Sequence, residues 1–122
     1  DYDTALTVVR SSTVFTTHTP VPAGIDRFPL DMVQRYFDDK GTTVATLLPG
    51  VPTGRITALG AEDDPTKFNM AHMGLRLAQR ANGVSLLHGR VSRVMFSELW
   101  PGFDPGEVPI GSITNGVHAR TW

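Results

Sequence analysis

The segment STVFTTHTPVP, residues 12–22, indicates the architecture of this chain more clearly than any other stretch. Its first six residues, 12–17, are almost all β-branched or aromatic, which is typical of a strand buried on both faces. The strand ends near His18, because Pro20 and Pro22 prevent its continuation. In open α/β sheets, a junction of this kind between strand and loop is where ligands bind.

A second segment of the same kind, SITNGVH, spans residues 112–118. The apolar and β-branched run over residues 110–114 predicts another strand, after which Asn115 and Gly116 turn the chain. Each of the two junctions presents polar side chains just beyond a strand. Together they predict one wall of an active-site cleft.

Helical patterns lie on both sides of the first strand. Residues 4–10 fit either the end of a helix or a strand, and we favour the helix. A short amphipathic helix follows Gly24, with Pro29 in its first turn and an end at Gly41; its apolar residues are Leu30, Val33 and Phe37. Residues 41–65 carry several Pro and Gly residues, which predicts a mostly irregular excursion with room for one short strand or helical turn.

The strongest helical pattern in the chain covers residues 64–81. Asp64 fits the N-cap of this helix and Pro65 its first helical position. Gly83 ends the helix, and Val84 follows as a short strand residue. The predicted apolar face consists of Phe68, Ala71, Leu75 and Ala78.

Ser85 is placed to cap a further helix. The apolar residues that define this helix are Leu87, Val91, Val94 and Met95. Residues 101–109 are predicted to form a loop before the last strand.

These elements predict a parallel α/β architecture in which the last strand lies beside or near the first. A chain of 122 residues has the size of one domain or of a piece of a larger one. A regular pattern is already under way at Ala5, and the chain stops at Trp122 directly after a loop. We therefore expect a fragment of a longer polypeptide.

The composition excludes several classes of partner. With 11 basic and 12 acidic residues, the chain has no electrostatic footprint for nucleic acid or an anionic membrane. The absence of cysteine excludes disulfides and thiolate metal sites and fits a reducing compartment, so we expect a cytoplasmic protein. The sequence has no apolar run of about 18 residues that predicts a membrane span, and no leader pattern.

His18 and Asn115 are the two candidate site residues. A histidine in a loop constrained by prolines can donate or accept a hydrogen bond at a sugar or phosphate oxygen. The amide of Asn115 offers donors and an acceptor, which suits a ligand rich in hydroxyls. Each residue also has a structural alternative: His18 can bond its own loop, and Asn115 with Gly116 is a common signal for a tight turn with positive φ.

The other histidines do not predict a metal site. His72 and His88 fall on predicted helices and His118 in the last loop, with no pair at i, i+4 spacing and no carboxylate placed as a third ligand. Met70 and Met73 are interpreted as core filling.

Nucleotide-binding and hydrolase signatures are absent from the chain. It contains no GxGxxG, no GxxxxGK[ST] and no GxSxG. Four arginines at helical intervals are interpreted as a solvated helix face: Arg76, Arg80, Arg90 and Arg93.

Four blocks, in this order and spacing, resemble the α-glucan (glycogen or maltodextrin) phosphorylases. They are FTTHTPVPAG at 15–24, FNMAHM at 68–73, ANGVSLLHG at 81–89 and ITNGVH at 113–118. The first block is most similar to the short bacterial type. Leu86-Leu87-His88 and Val117-His118-Ala119 depart from the commoner patterns of the family, beside the candidate site positions.

The resemblance implies a glycosyltransferase with two Rossmann-like domains that face each other across a cleft (GT-B type). Residues 1–122 form the end of the N-terminal domain in this interpretation. The implied reaction is phosphorolysis of an α-1,4-glucan by inorganic phosphate, giving α-glucose 1-phosphate with retention. His18 is then expected to bond the 6-hydroxyl of the reacting glucosyl unit, with its carbonyl near the oxocarbenium charge, and Asn115 to bond the same sugar.

The family uses pyridoxal phosphate, whose Schiff-base lysine belongs to the C-terminal domain. The only lysines here, Lys40 and Lys67, stand in no matching context. We therefore expect no cofactor on this chain and no activity from it alone, and a homo-oligomer is one possible state. Two alternatives stay open: a starch or glycogen synthase-like enzyme that uses a nucleotide-sugar, and a non-catalytic glucan-binding module.

Overall fold

The computed structural model describes residues 1–38, 46–117 and 119–120. Short 3₁₀ turns connect several of its elements, at Pro22–Gly24, Ala58–Gly60, Ser97–Leu99 and Pro105–Glu107. The helices and strands, in chain order, are α1 (Tyr2–Ser12), β1 (Val14–Thr17), β2 (Arg27–Pro29), α2 (Leu30–Asp38), α3 (Thr53–Thr57), β3 (Lys67–Asn69), α4 (Met70–Leu77), β4 (Arg80–Gly83), α5 (Leu86–Met95) and β5 (Ile110–Ser112).

A parallel three-stranded sheet with the order β1-β4-β5 forms the centre of the fold. This confirms the predicted parallel α/β class. The first and last predicted strands belong to the same sheet, but β4 lies between them. The helix predicted for residues 64–81 was wrong at its C-terminal end. Gln79 N–H bonds Thr13 C=O (3.0 Å), and from Arg80 the chain forms β4, which pairs with β1.

The start of the strongest helix also differs from the prediction. Asn69 is the N-cap of α4, and its side chain accepts a hydrogen bond from the His72 N–H at 3.0 Å. Asp64 instead holds a local turn, in which it accepts from the N–H and hydroxyl of Thr66 at 2.9 and 2.6 Å. Phe68 is drawn into β3, where it pairs with Phe28 of β2 in a second, antiparallel sheet.

The second sheet corrects the interpretation of Pro29 as well. Pro29 is the last residue of β2, and α2 begins one residue later, at Leu30. The predicted end of that helix at Gly41 lies outside the described residues. Within residues 46–65, the predicted excursion contains the short helix α3 and the 3₁₀ turn Ala58–Gly60 that follows it.

Other predicted elements are confirmed. The helix favoured for residues 4–10 is α1, and Ser85 caps α5 by accepting from the His88 N–H at 3.1 Å. The loop over residues 101–109 contains one 3₁₀ turn. The last strand is shorter than predicted, because β5 ends at Ser112.

The hydrophobic core lies between the central sheet and its helices. Its fully buried residues are Ala71, Leu75, Phe96, Val108 and Ile110. The first strand is not buried on both faces as predicted: Val14 is 61% exposed, whereas Thr17 is 5% exposed. The reason is position, since β1 is an edge strand of the described sheet. Among the described residues, no helix has both the length and the apolar character needed to cross a membrane.

Candidate functional site

The carboxyl ends of the three parallel strands lie side by side. Thr17 of β1 pairs with Gly83 of β4, which pairs with Ser112 of β5. His18 follows the first of these residues directly and Asn115 follows the last by three residues. With neighbouring strands about 5 Å apart, the first and last strand ends are separated by about 10 Å. The structure thus brings both predicted loops to one edge of the sheet.

A cleft of about 450 Å³ opens where β1 ends. His18, Thr16 and Asp26 supply polar groups to its lining, and Met70 and Met73 supply apolar surface. The volume is within the range of small-molecule sites. The interpretation of the two methionines as core filling was wrong: both line the cleft, and Met70 is more than a third exposed.

The side chain of His18 is exposed at this cleft. It forms no hydrogen bond with any residue in the described ranges. The loop that carries it is folded back tightly, because Thr19 N–H bonds the Thr17 hydroxyl at 3.4 Å and a Cβ placed on Gly24 lies only 2.5 Å from Thr19 Cγ2. His18 is therefore a free imidazole on a constrained loop, and the alternative of a histidine that bonds its own loop is not what the structure shows.

Asn115 lies at the other end of the same edge. Beyond β5, the Ile113 N–H bonds Gly83 C=O at 2.9 Å and the Asn115 N–H bonds Val84 C=O at 3.0 Å. The expected tight turn with positive φ is not present, because the described residues with positive φ are Gly50 and Gly102. Asn115 is instead held by backbone bonds to the β4 strand end, and its side chain is exposed.

Asn82 is a polar residue of this edge that sequence reasoning missed. It lies on β4 with 8% of its surface exposed and accepts a hydrogen bond from the Thr16 hydroxyl at 3.0 Å, across the β1-β4 pair. The signal that could have identified it is a polar side chain at the end of a strand. Because β4 contains no β-branched residue, its sequence does not predict a strand, and Asn82 could not be recognised as a strand-end residue.

His72 and Glu98 form a second polar cluster, in a cavity of about 230 Å³ shared with Glu62, Asp63 and Arg76. His72 is 1% exposed, with Nδ1 3.1 Å from Ala61 C=O and Nε2 3.0 Å from Glu98 Oε1. Burial lowers the pKa of His72, whereas burial and then Asp63 raise the pKa of Glu98. Both directions disfavour an ion pair between the two groups: the neutral imidazole can donate from Nδ1 to the Ala61 carbonyl, which leaves Nε2 as an acceptor facing Glu98.

His88 and His118 are the two remaining histidines of the chain. His88 is buried on α5, and His118 lies outside the described residues. Within the described part of the chain, no three His, Asp or Glu side chains are grouped as ligands for a metal ion.

The four arginines do not share a solvated helix face. Arg76 donates to Leu59 C=O at 2.8 Å and Arg93 donates to Ile110 C=O at 2.8 Å, so both stabilise loops and strand ends. Arg80 lies on β4, and Arg90 borders a separate groove beside Arg27. That interpretation was wrong because β4 replaces the predicted helix.

The described residues do not fit the attachment site of pyridoxal phosphate. Lys67 lies on β3 of the second sheet and is not among the residues that line the cleft. Lys40 lies outside the described residues.

The geometry defines a Rossmann-like α/β unit whose polar side chains meet at the carboxyl edge of its parallel strands. Comparison with curated proteins then identifies the relatives. Over 123 residues, the chain is 82% identical to the glycogen phosphorylase of Mycobacterium tuberculosis, with 100% of this chain and 14% of that protein aligned. It is 45% identical over 118 residues to the maltodextrin phosphorylase of Thermococcus litoralis, with 97% of this chain and 13% of that protein aligned.

The glycogen phosphorylase of Aquifex aeolicus is 37% identical over 123 residues, with 99% of this chain and 17% of that protein aligned. No protein-family model matches the chain. The chain is homologous to one segment of the α-glucan phosphorylases, which confirms the resemblance predicted from the four blocks, and it spans 14% of the length of its mycobacterial relative.

Proposed function

We propose that this chain is the end of the N-terminal Rossmann-like domain of an α-glucan phosphorylase of GT-B type. The parent enzyme cleaves α-1,4-glucan with inorganic phosphate and releases α-glucose 1-phosphate with retained configuration. The names of the relatives, glycogen and maltodextrin phosphorylase, support this reaction over a nucleotide-sugar synthase or a non-catalytic glucan-binding module. We further propose a cytoplasmic enzyme, able to form a homo-oligomer, without nucleic-acid or membrane partners.

The observation that carries the proposal is the arrangement of the sheet edge. His18 and Asn115 are both exposed there, and each is tied to the end of β4, through the Thr17-Gly83 pair and the bond from Asn115 N–H to Val84 C=O. A sugar ring can be bonded from two sides by groups at such an edge. The constrained loops mean that little conformational freedom is lost when the ligand binds.

His18 and Asn115 are proposed to position the glucosyl unit. His18 bonds the 6-hydroxyl, its main-chain carbonyl lies near the developing oxocarbenium charge, and Asn115 bonds the same sugar. Contacts of this kind accelerate the reaction only to the extent that they strengthen in the transition state. Neither residue acts as a nucleophile.

Pyridoxal phosphate, held by another part of the parent enzyme, would supply a phosphate group able to donate or accept a proton. The described residues of this chain offer that cofactor no lysine at the cleft. We therefore expect the isolated chain to release no glucose 1-phosphate from glycogen in the presence of phosphate.

Phosphorolysis of maltoheptaose by the full-length parent enzyme tests the proposal. We expect His18→Ala and Asn115→Ala each to lower kcat/KM by about 100-fold or more, since each removes a polar contact at the reacting sugar. Pyridoxal content is measured in each variant and should be unchanged. Unaltered turnover in both variants would remove the two residues from the glucosyl site.

A further inference from the structure

His88 lies beneath the residues that hold Asn115. The residue is 6% exposed, and its Nδ1 accepts a hydrogen bond from the Val84 N–H at 3.4 Å. The carbonyl of the same Val84 accepts the N–H of Asn115 at 3.0 Å. One residue of backbone therefore separates the buried imidazole from the candidate sugar-binding residue.

The packing around this contact leaves little room for adjustment. A Cβ placed on Gly83 lies 2.8 Å from Gly89 N and 3.0 Å from His88 C, so the end of β4 touches the first turn of α5 backbone to backbone. A Cβ placed on Gly89 lies 3.0 Å from the Cβ of Ser112, which brings β5 into the same junction. A shift of Val84, whose carbonyl accepts the Asn115 N–H, is therefore transmitted to Asn115.

Packing alone does not account for a histidine at this position. Because Nδ1 accepts a hydrogen bond, the neutral ring carries its proton on Nε2. Nε2 is buried and has no hydrogen-bond partner among the described residues. A leucine of similar branching fills the same space without an unpaired N–H, which is costly in a buried position. The feature that the imidazole adds over leucine is the acceptor at Nδ1.

We infer that His88 is a positioning residue for the glucosyl site, which sets the place of Asn115 through the backbone N–H and C=O of Val84. The inference rests on the proposed function. His88 itself touches no substrate, and its effect reaches the sugar only through Asn115.

A matched pair of variants in the full-length holoenzyme tests this role. His88→Asn keeps an acceptor at the place of Nδ1, and His88→Leu has the same branching without one. We expect His88→Leu to lower kcat/KM for maltoheptaose by about tenfold or more, because small displacements of positioning groups are costly, and His88→Asn to stay within about threefold of the parent. Pyridoxal content and Tm are recorded for both.

Coupling to Asn115 separates positioning from a general effect on folding. In an Asn115→Ala background, we expect His88→Leu to lower kcat/KM by less than about twofold further, because the residue that it positions is already absent. The inference would be overturned if the losses of kcat/KM caused by His88→Leu and Asn115→Ala multiplied in the double variant. Equal activity of His88→Leu and His88→Asn would also overturn it. If His88→Leu does not fold, His88→Gln replaces it, since its amide lies near the place of Nε2, and the same coupling is expected.

The proposed function can fail separately. If Asn115→Ala alone leaves kcat/KM unchanged, the assignment of Asn115 to the sugar is wrong and the inference falls with it. If Asn115→Ala is strongly impaired but shows no coupling with His88→Leu, only the inference about His88 is wrong.

Discussion

Two histidines of this chain, His18 and His72, lie in opposite environments. His18 is exposed at the carboxyl edge of the sheet and bonds no described side chain or backbone group. His72 is almost fully buried, and both of its ring nitrogens have partners, Ala61 and Glu98. A ring whose bonding capacity is used within the fold stabilises that fold, whereas a free ring on a constrained loop is available to a ligand.

The largest effect on stability is expected from the buried member of this pair. His72→Leu removes two hydrogen bonds and leaves the Ala61 carbonyl and the Glu98 carboxyl without their partner. We expect the variant to lose about 2–3 kcal/mol of unfolding free energy. Thermal unfolding of the parent enzyme measures the change as a lower Tm.

His18→Leu is the matched control, because it makes the same substitution at an exposed site. Its unfolding free energy is expected to stay within about 0.5 kcal/mol of the parent value. Equal destabilisation by the two variants would mean that the different burial and hydrogen bonding of His18 and His72 do not change the free energy of unfolding.

A smaller effect, on activity, is expected at the loop that carries His18. Gly24→Ala introduces a methyl group 2.5 Å from Thr19 Cγ2, so the Thr19 side chain or the loop that carries it must shift. We expect kcat/KM for maltoheptaose to fall by about tenfold, because His18 is displaced from the sugar. The measurement is steady-state phosphorolysis by the full-length enzyme, with Tm recorded alongside.

Thr19→Ser provides the control for Gly24→Ala. It removes Cγ2 and keeps the hydroxyl, so the double variant has room for the added methyl group. We expect the double variant to recover most of the lost activity. A double variant as impaired as Gly24→Ala would show that the loss comes from backbone flexibility at residue 24 and not from the contact with Thr19.

The sequence predicted the two ends of the site edge better than its middle. His18 follows a strand rich in β-branched residues, and Asn115 follows the run 110–114, which contains Ile110, Ile113 and Thr114, so both positions could be predicted from local pattern. Asn82 was missed because β4, with the sequence RANG, has no local preference for a strand and forms one only between β1 and β5. Whether such a segment forms a strand depends on its pairing with residues that are distant in sequence.

The same limit applies to the start of α4. Asp64 followed by Pro65 satisfies the local rules for a helix start, and so does Asn69. Pairing of Phe68 with Phe28 across the second sheet keeps the chain extended until Asn69. Since β2 was not predicted, the sequence offered no reason to prefer the later cap. The apolar residues of the predicted helix that become buried, Phe68, Ala71 and Leu75, were nevertheless correctly chosen.

The smallest effect expected is on the pH dependence of stability. Burial lowers the pKa of His72, so the unfolded chain takes up a proton at higher pH than the folded one. The contribution of His72 is therefore complete above pH 6.5, its ordinary pKa, and is lost as the pH falls through its lower folded value. Burial and Asp63 raise the pKa of Glu98, so its contribution is complete below its ordinary value of 4.5 and is lost as the pH rises.

The two groups thus oppose each other between about pH 4.5 and 6.5. In this interval, His72→Gln should make the stability of the parent enzyme rise less steeply with pH, and Glu98→Gln should make it rise more steeply. Tm measured at several pH values gives both slopes. Glu98 is partly exposed, so its slope change is expected to be the smaller one. Slopes that stay unchanged in both variants would contradict a neutral His72 and would favour an ion pair at this buried site, because an ion pair raises the pKa of His72 and lowers that of Glu98, which moves both titrations out of this interval.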